Sequence, residues 1–149
     1  ADFARRHDLI LVSDEIHHDL VFPGVRHTVM ANAAPEIADR LVMLTAASKT
    51  FNIAGAHLGN VIIPDQGLRA TFAARMAGLG ISPNAFGLHM VTAAYSPAGA
   101  AWVDALVAYL DANRRAFDAA ITAIPGSTAS SANPWPSPSS HRMIQAGVA

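Results

Sequence analysis

The sequence contains no cysteine. Disulfides, CxxC redox chemistry and thiolate metal centres are therefore excluded, and the composition suits a reducing cytoplasm. No apolar run approaches the length of a membrane span. Ten Lys and Arg side chains nearly balance eleven Asp and Glu, for a formal net charge of −1. Without a basic stripe, nucleic acid is disfavoured as a partner. The chain begins at Ala1 and shows no charged n-region followed by the apolar h-region of a secretory signal, so a cytoplasmic location is expected. Lysine is the scarcest basic residue: Lys49 is the only one, every other member of the Lys/Arg class being arginine.

The 149 residues suffice for one domain with a core. Asp2 to Asp8 suits the end of a helix. Leu9-Ile10-Leu11-Val12 is a short continuous apolar run, as in a strand buried on both faces of a parallel sheet. It ends in the polar cluster Ser13-Asp14-Glu15-Ile16-His17-His18-Asp19. A second run, Leu41 to Leu44, leads through small residues to Ser48-Lys49-Thr50-Phe51-Asn52, and a third strand is expected over Gly59 to Ile63. Pro35 opens a short helix to Asp39, and Gln66 to Met76 carries Leu68, Phe72 and Met76 on one helical face, a stripe expected to lie in the core. Ser82-Pro83 and Ser96-Pro97 each read as an N-cap followed by proline at the first helical position. The second of these opens the longest helix, to about Ile124, with an apolar stripe of Trp102, Leu106, Tyr109 and Leu110 and a stop at Pro125-Gly126. From Ser127 the chain turns Ser/Pro-rich and aperiodic, so 1–126 is expected to be the structured part and 127–149 a disordered tail.

Lys49 stands where a buried strand ends. Arginine cannot replace an amine that must lose its proton and attack a carbonyl, so a lone lysine there is a candidate Schiff-base nucleophile. By itself it reads equally as a surface lysine retained in an arginine-biased chain. Asp14 changes the balance. It lies thirty-five positions earlier, at the expected carboxyl end of another strand, where α/β sheets place ligands. A lysine and an aspartate so placed are the two groups pyridoxal phosphate requires: one to hold its aldehyde carbon, one to keep its pyridine nitrogen protonated. Two unit charges about 3 Å apart at an effective dielectric of about 20 attract by roughly 5 kcal/mol before desolvation is subtracted.

Ser13-Asp14-Glu15-Ile16-His17-His18-Asp19-Leu20 together with Ser48-Lys49-Thr50-Phe51-Asn52-Ile53-Ala54-Gly55 resembles the fold-type I pyridoxal-phosphate enzymes of the aminotransferase class I/II superfamily. Within them the likeness is greatest to the MalY/PatB type of cystathionine β-lyase and spans about Ala1 to Gly126. It implies an α/β fold, part of a large cofactor domain with a mostly parallel sheet flanked by helices, whose long last helix leads towards a small domain. It implies pyridoxal 5'-phosphate as cofactor, Lys49 as the Schiff-base lysine and Asp14 as partner of the ring nitrogen. His17 stands where aminotransferases commonly place a tyrosine on the ring's 3-oxygen. Ser48 would contact the phosphate, as would His57, eight positions after the lysine, where the family often has a basic or hydroxyl residue. The implied reaction is cleavage of a Cβ–S bond of a small amino-acid substrate, by a homodimer in full-length form. The alternatives are transamination and an inactive fragment, since the resemblance puts the phosphate-cradling turn and stacking ring upstream of Ala1 and the substrate-carboxylate arginine downstream.

Other chemistries fit less well. Glu15, His17, His18 and Asp19 invite a metal, but adjacent histidines point to opposite sides of an extended segment and no HExxH spacing occurs, so no metal is expected. His27, His57 and His89, taken singly, read as surface or satisfied core groups. No serine sits in a G-x-S-x-G elbow, and Gly55-Ala-His-Leu-Gly59 is too short for a dinucleotide fingerprint.

Overall fold

The computed structural model describes residues 1–127 and 140–144. Four strands form one sheet: β1 (Ile10–Asp14), β2 (Leu41–Thr45), β3 (Asn60–Ile62) and β4 (Ser140–Ile144), in the spatial order β3-β2-β1-β4. The three strands expected from apolar runs are present within a residue or two of their expected ends. β1 and β2 are parallel, with Leu11 opposite Leu41 and Asp14 opposite Leu44. The parallel character expected of the sheet resides in this central pair, and both outer pairings are antiparallel. β3 reverses because the 46–59 connection turns back at the edge where β2 ends and so pairs Thr45 with Asn60, without the crossover a parallel strand requires. β4 was not anticipated: Ser140–Ile144 lies within the stretch expected to lack structure, yet its backbone pairs with all of β1. The rest of that stretch beyond Ser127 lies outside the described residues.

The core sits on one face of the central pair. Leu11, Leu41 and Met43 pack with Ala34 and Ile37, and Val29, Met30 and Ala31 close over them. The covering layer is α2 (Met30–Ala33) and the 3-10 segment Pro35–Arg40, which replaces the short helix expected there. The N-terminal helix α1 (Asp2–Arg6) buries Ala4, and Arg5 ties it to the Glu36 carbonyl and, at 3.1 Å, to Asp39.

Three longer helices follow. Asp65 caps α4 (Gln66–Gly78) by accepting from the Leu68 amide at 2.7 Å. Leu68, Phe72 and Met76 are its less exposed face, but none is buried, contrary to expectation. A stripe becomes core only when another layer covers it, and α4 buries no residue among those described. Helix α5 (Ala85–Ala94) starts at Asn84 rather than Ser82. Asn84 accepts from the Gly87 amide and donates to the Ala56 carbonyl, both at 2.6 Å, so one side chain caps the helix and anchors it to the loop before β3. Gly87 permits this approach, because a Cβ there would stand 2.7 Å from the Ala56 carbonyl oxygen. Ser96 and Pro97 open α6 (Pro97–Thr122) as the sequence predicts. At 26 residues α6 is about 39 Å long. It meets the sheet end through Trp102, stacked on Phe51 at 5.8 Å, and through Arg114, whose guanidinium lies 5.3 Å from the Phe22 ring.

Candidate active site

The parallel register gathers the chemistry at one edge. β1 and β2 end together there, and β3 begins beside the end of β2. Asp14 closes β1, and the backbone continues the ladder for one bond, from the Glu15 amide to the Leu44 carbonyl at 2.8 Å. His17 follows in the turn after β1. Ser48 and Lys49 lie in the turn after β2, and His57 just before β3. The five candidate residues therefore share the carboxyl edge of the central pair.

Lys49 is held on a single helical turn, α3 (Ala47–Thr50). The Phe51 amide bonds the Ala47 carbonyl at 2.9 Å, and the Ile53 amide reaches back to the Ser48 carbonyl at 3.0 Å. The latter is the six-to-one bond of a Schellman cap, which requires a left-handed residue between Phe51 and Ile53. Asn52 supplies it, with φ of 53°, a conformation asparagine tolerates better than most residues. This explains the asparagine of Ser-Lys-Thr-Phe-Asn: it stops the turn so that Lys49 stays at the sheet edge. Lys49 is exposed and forms no ion pair among the described residues.

Asp14 is half-buried, and its Oδ1 accepts one long bond, 3.3 Å, from the Ile16 amide. No bond to Oδ2 is recorded among the described residues. Among the described residues, a carboxylate and an amine thus stand without ion-pair partners at the same sheet edge. That is the donor set pyridoxal phosphate needs, and the residues present fit the group. His17 and Ser48 are half-buried. His57 is exposed and left-handed, with φ of 46°, at the end of the 3-10 turn Ala54–Ala56. No hydrogen bond joins any two of the five side chains among the described residues.

Two polar contacts beneath this edge were not legible in the sequence. Glu15 is only 3% exposed; its Oε1 accepts from Ser13 Oγ at 2.9 Å and from the Met30 amide at 3.0 Å, and its Oε2 meets His27 Nε2 at 2.9 Å. Burial alone would raise its carboxyl pKa, but the bonds from His27, the Met30 amide and Ser13 outweigh burial and hold it below the ordinary value. His27, expected to be either a surface or a satisfied core group, is half-buried and paired with Glu15. The second contact spans 31 residues: Thr50, fully buried, donates from Oγ1 to Asp19 Oδ2 at 3.0 Å. Sequence spacing alone could have raised only a general alert, that polar groups behind a buried strand need partners.

The Glu15 network carries a pH prediction. A depressed folded-state pKa stabilises above the unfolded value and is lost as pH falls through the folded one. At neutral pH, Glu15→Ala leaves Ser13, the Met30 amide and His27 without their acceptor, and should cost about 3–5 kcal/mol. Equilibrium urea unfolding should show the gap between parent and variant shrinking as pH drops below the ordinary carboxylate value of about 4.3. A gap constant from pH 7 to pH 3 would contradict the assigned pairing.

The family profile described as aminotransferase class I and II matches residues 1–141. The chain belongs to that family. Family members with similar sequences include cystathionine beta-lyase PatB of Bacillus subtilis, 42% identical over 114 residues, and protein MalY of Escherichia coli, 36% identical over 115. Each alignment covers 76% of this chain but only 29% and 28% of the respective relative. Among solved structures, the pyridoxal-phosphate-bound C–S lyase of Staphylococcus hominis superposes with a TM-score of 0.70 at 32% identity, over 78% of this chain and 28% of its own. The chain therefore spans less than a third of the length of the relatives it matches. The resemblance read from the Asp14 and Lys49 segments holds at the level of family and fold, and the aminotransferase-family chain is related to pyridoxal-phosphate enzymes that cleave C–S bonds. No helix among the described residues is long and apolar enough to cross a membrane.

Proposed function

We propose that this segment carries the cofactor lysine and ring-nitrogen aspartate of a pyridoxal-phosphate-dependent carbon–sulfur β-lyase of the cystathionine β-lyase type. One observation carries the proposal: Lys49 and Asp14 leave adjacent parallel strands at the same edge, each free of an ion-pair partner among the described residues. Bound there, pyridoxal phosphate would supply an electron sink for the pair left when a bond to the substrate's Cα breaks. Lys49 Nζ would hold the cofactor at its aldehyde carbon and, once free, would take the substrate's Cα proton as general base. Asp14 would keep a proton on the ring nitrogen, His17 would donate to the ring's 3-oxygen, and Ser48 and His57 would hold the phosphate. Breaking the Cβ–S bond then releases a thiol, and water completes the conversion of the remainder to pyruvate and ammonia. The complete protein acts on a small amino-acid substrate, as a homodimer in the cytoplasm.

The second reading is transamination, supported by the family's breadth. There Lys49 would carry the same proton between substrate and cofactor, and no thiol would leave. The products separate the two. With cystathionine, the complete protein should yield thiol, pyruvate and ammonia in equal amounts without an added oxo acid. Turnover that requires an oxo-acid acceptor and releases no thiol would assign it to the transaminases.

A further inference from the structure

Asp19 stands where three parts of the chain meet. Its Oδ2 accepts from Thr50 Oγ1 at 3.0 Å, and its Oδ1 lies 3.2 Å from His18 Nε2. The other ring nitrogen of His18, Nδ1, donates to the Glu15 carbonyl at 2.8 Å. Both nitrogens of that ring therefore lie against oxygen atoms. His18 also packs near His27, ring centroids 6.1 Å apart, and His27 in turn holds Glu15. Tyr95, at the end of α5, lies close enough for the charge of Asp19 to add to burial in raising its phenol pKa. Asp19 is thus braced through His18 against the end of β1, while its second oxygen holds the residue next to Lys49.

Thr50 has few alternatives. It is fully buried, its hydroxyl bonds only to Asp19 among the described residues, and it forms the last residue of the turn that carries Lys49. A four-residue helix is too short to be stable without tertiary contacts. Among the described residues, its side-chain hydrogen bond to the Asp14 loop is the Thr50–Asp19 bond.

We propose that Asp19 is a positioning residue: through Thr50 it fixes the Lys49 turn against the loop that carries Asp14, so that amine and carboxylate keep one spacing. The inference deepens the proposed function and rests on Lys49 being the amine that captures the cofactor. Nothing reacts at Asp19 or Thr50; both act through Lys49.

The test compares Thr50→Val, Asp19→Ala and the conservative Thr50→Ser in the full chain, by amide hydrogen exchange without cofactor and by the rate at which added pyridoxal phosphate is trapped at Lys49 with borohydride. Thr50→Val removes the donor with little change of shape. Asp19→Ala removes the acceptor at a half-exposed position, which guards against a folding failure at buried Thr50. Both should speed exchange of the Phe51 and Ile53 amides at least about tenfold, leave the β1 and β2 amides within about twofold, and slow trapping by a similar factor. Thr50→Ser should match the parent in both. Unchanged exchange at Phe51 and Ile53 in Thr50→Val and Asp19→Ala overturns the inference, as does exchange that rises equally across the sheet, because Asp19 then serves only general stability. So does faster local exchange with undiminished trapping. If exchange responds locally but even the parent traps nothing at Lys49, the tie between the loops stands and the proposed role of the lysine falls.

Discussion

Lys49→Arg in the complete protein should lower turnover by about four orders of magnitude, about 5.5 kcal/mol of barrier at 1.36 kcal/mol per factor of ten. The substitution keeps length and charge but removes this span's only side-chain amine able to lose a proton and bond a carbonyl carbon. Both roles proposed for Lys49 would vanish at once: covalent retention of the cofactor, and proton transfer at Cα, itself worth about 10²–10⁴. The fold should not register the change. Lys49 is exposed and unpaired among the described residues, and exposed substitutions away from caps and core generally fall within about 0.5 kcal/mol. Steady-state kinetics beside a thermal melt checks both halves. A variant that turns over within tenfold of the parent, or one that is inactive only because it is unfolded, would contradict the role given to Lys49.

Asp14→Asn should slow exchange of the substrate's Cα proton by about two to three orders of magnitude, about 3–4 kcal/mol, while Tm hardly moves. Asparagine can still accept the 3.3 Å bond from the Ile16 amide, so the turn after β1 keeps its shape. It carries no charge to hold a proton on the ring nitrogen, and the electron pair left at Cα loses its sink. Cofactor retention should fall much less, because Lys49 still holds the aldehyde carbon. If Asp14 served only its turn, the order would reverse: a loss of up to about 1.5 kcal/mol of stability with proton exchange nearly unchanged. Deuterium wash-in at Cα, followed by mass spectrometry, separates the two outcomes.

Local features of the fold were readable where the physics is local. The apolar runs marked the strands of the central pair, but the burial on both faces expected of β1 is not met: its residues alternate between half-buried and buried, because only one face carries the core. Ser96 and Pro97 marked the start of α6 because a cap is a property of adjacent residues. Asn84 outranked Ser82 because its side chain also had the Ala56 carbonyl to bond, a partner 28 positions away that no cap rule sees. The direction of β3, the pairing of β4 with β1 and the partial exposure of Leu68, Phe72 and Met76 depend on which layers meet, and periodicity carries no information about that.

At the site, the position of Asp14 and Lys49 at one edge follows from two strand ends and was legible. The arrangement that supports them was not. Glu15 pairs with His27 twelve positions on, and Asp19 with Thr50 thirty-one positions on. In the sequence these groups crowd into Glu15-Ile16-His17-His18-Asp19 and resemble a metal cluster. In the fold Glu15 turns to His27 and Asp19 to Thr50, while His18 stays within the segment with its Nε2 3.2 Å from Asp19 Oδ1.

Reduction of the cofactor-loaded protein with borohydride, followed by proteolysis and mass spectrometry, tests the central claim most directly. The sole lysine of this span makes the outcome unambiguous. The mass of reduced pyridoxal phosphate should appear on the peptide containing Ser48-Lys49-Thr50, attached at Lys49 and absent from the same peptide in Lys49→Arg. A reduced adduct elsewhere in the protein, with the Lys49 peptide unlabelled, would contradict it.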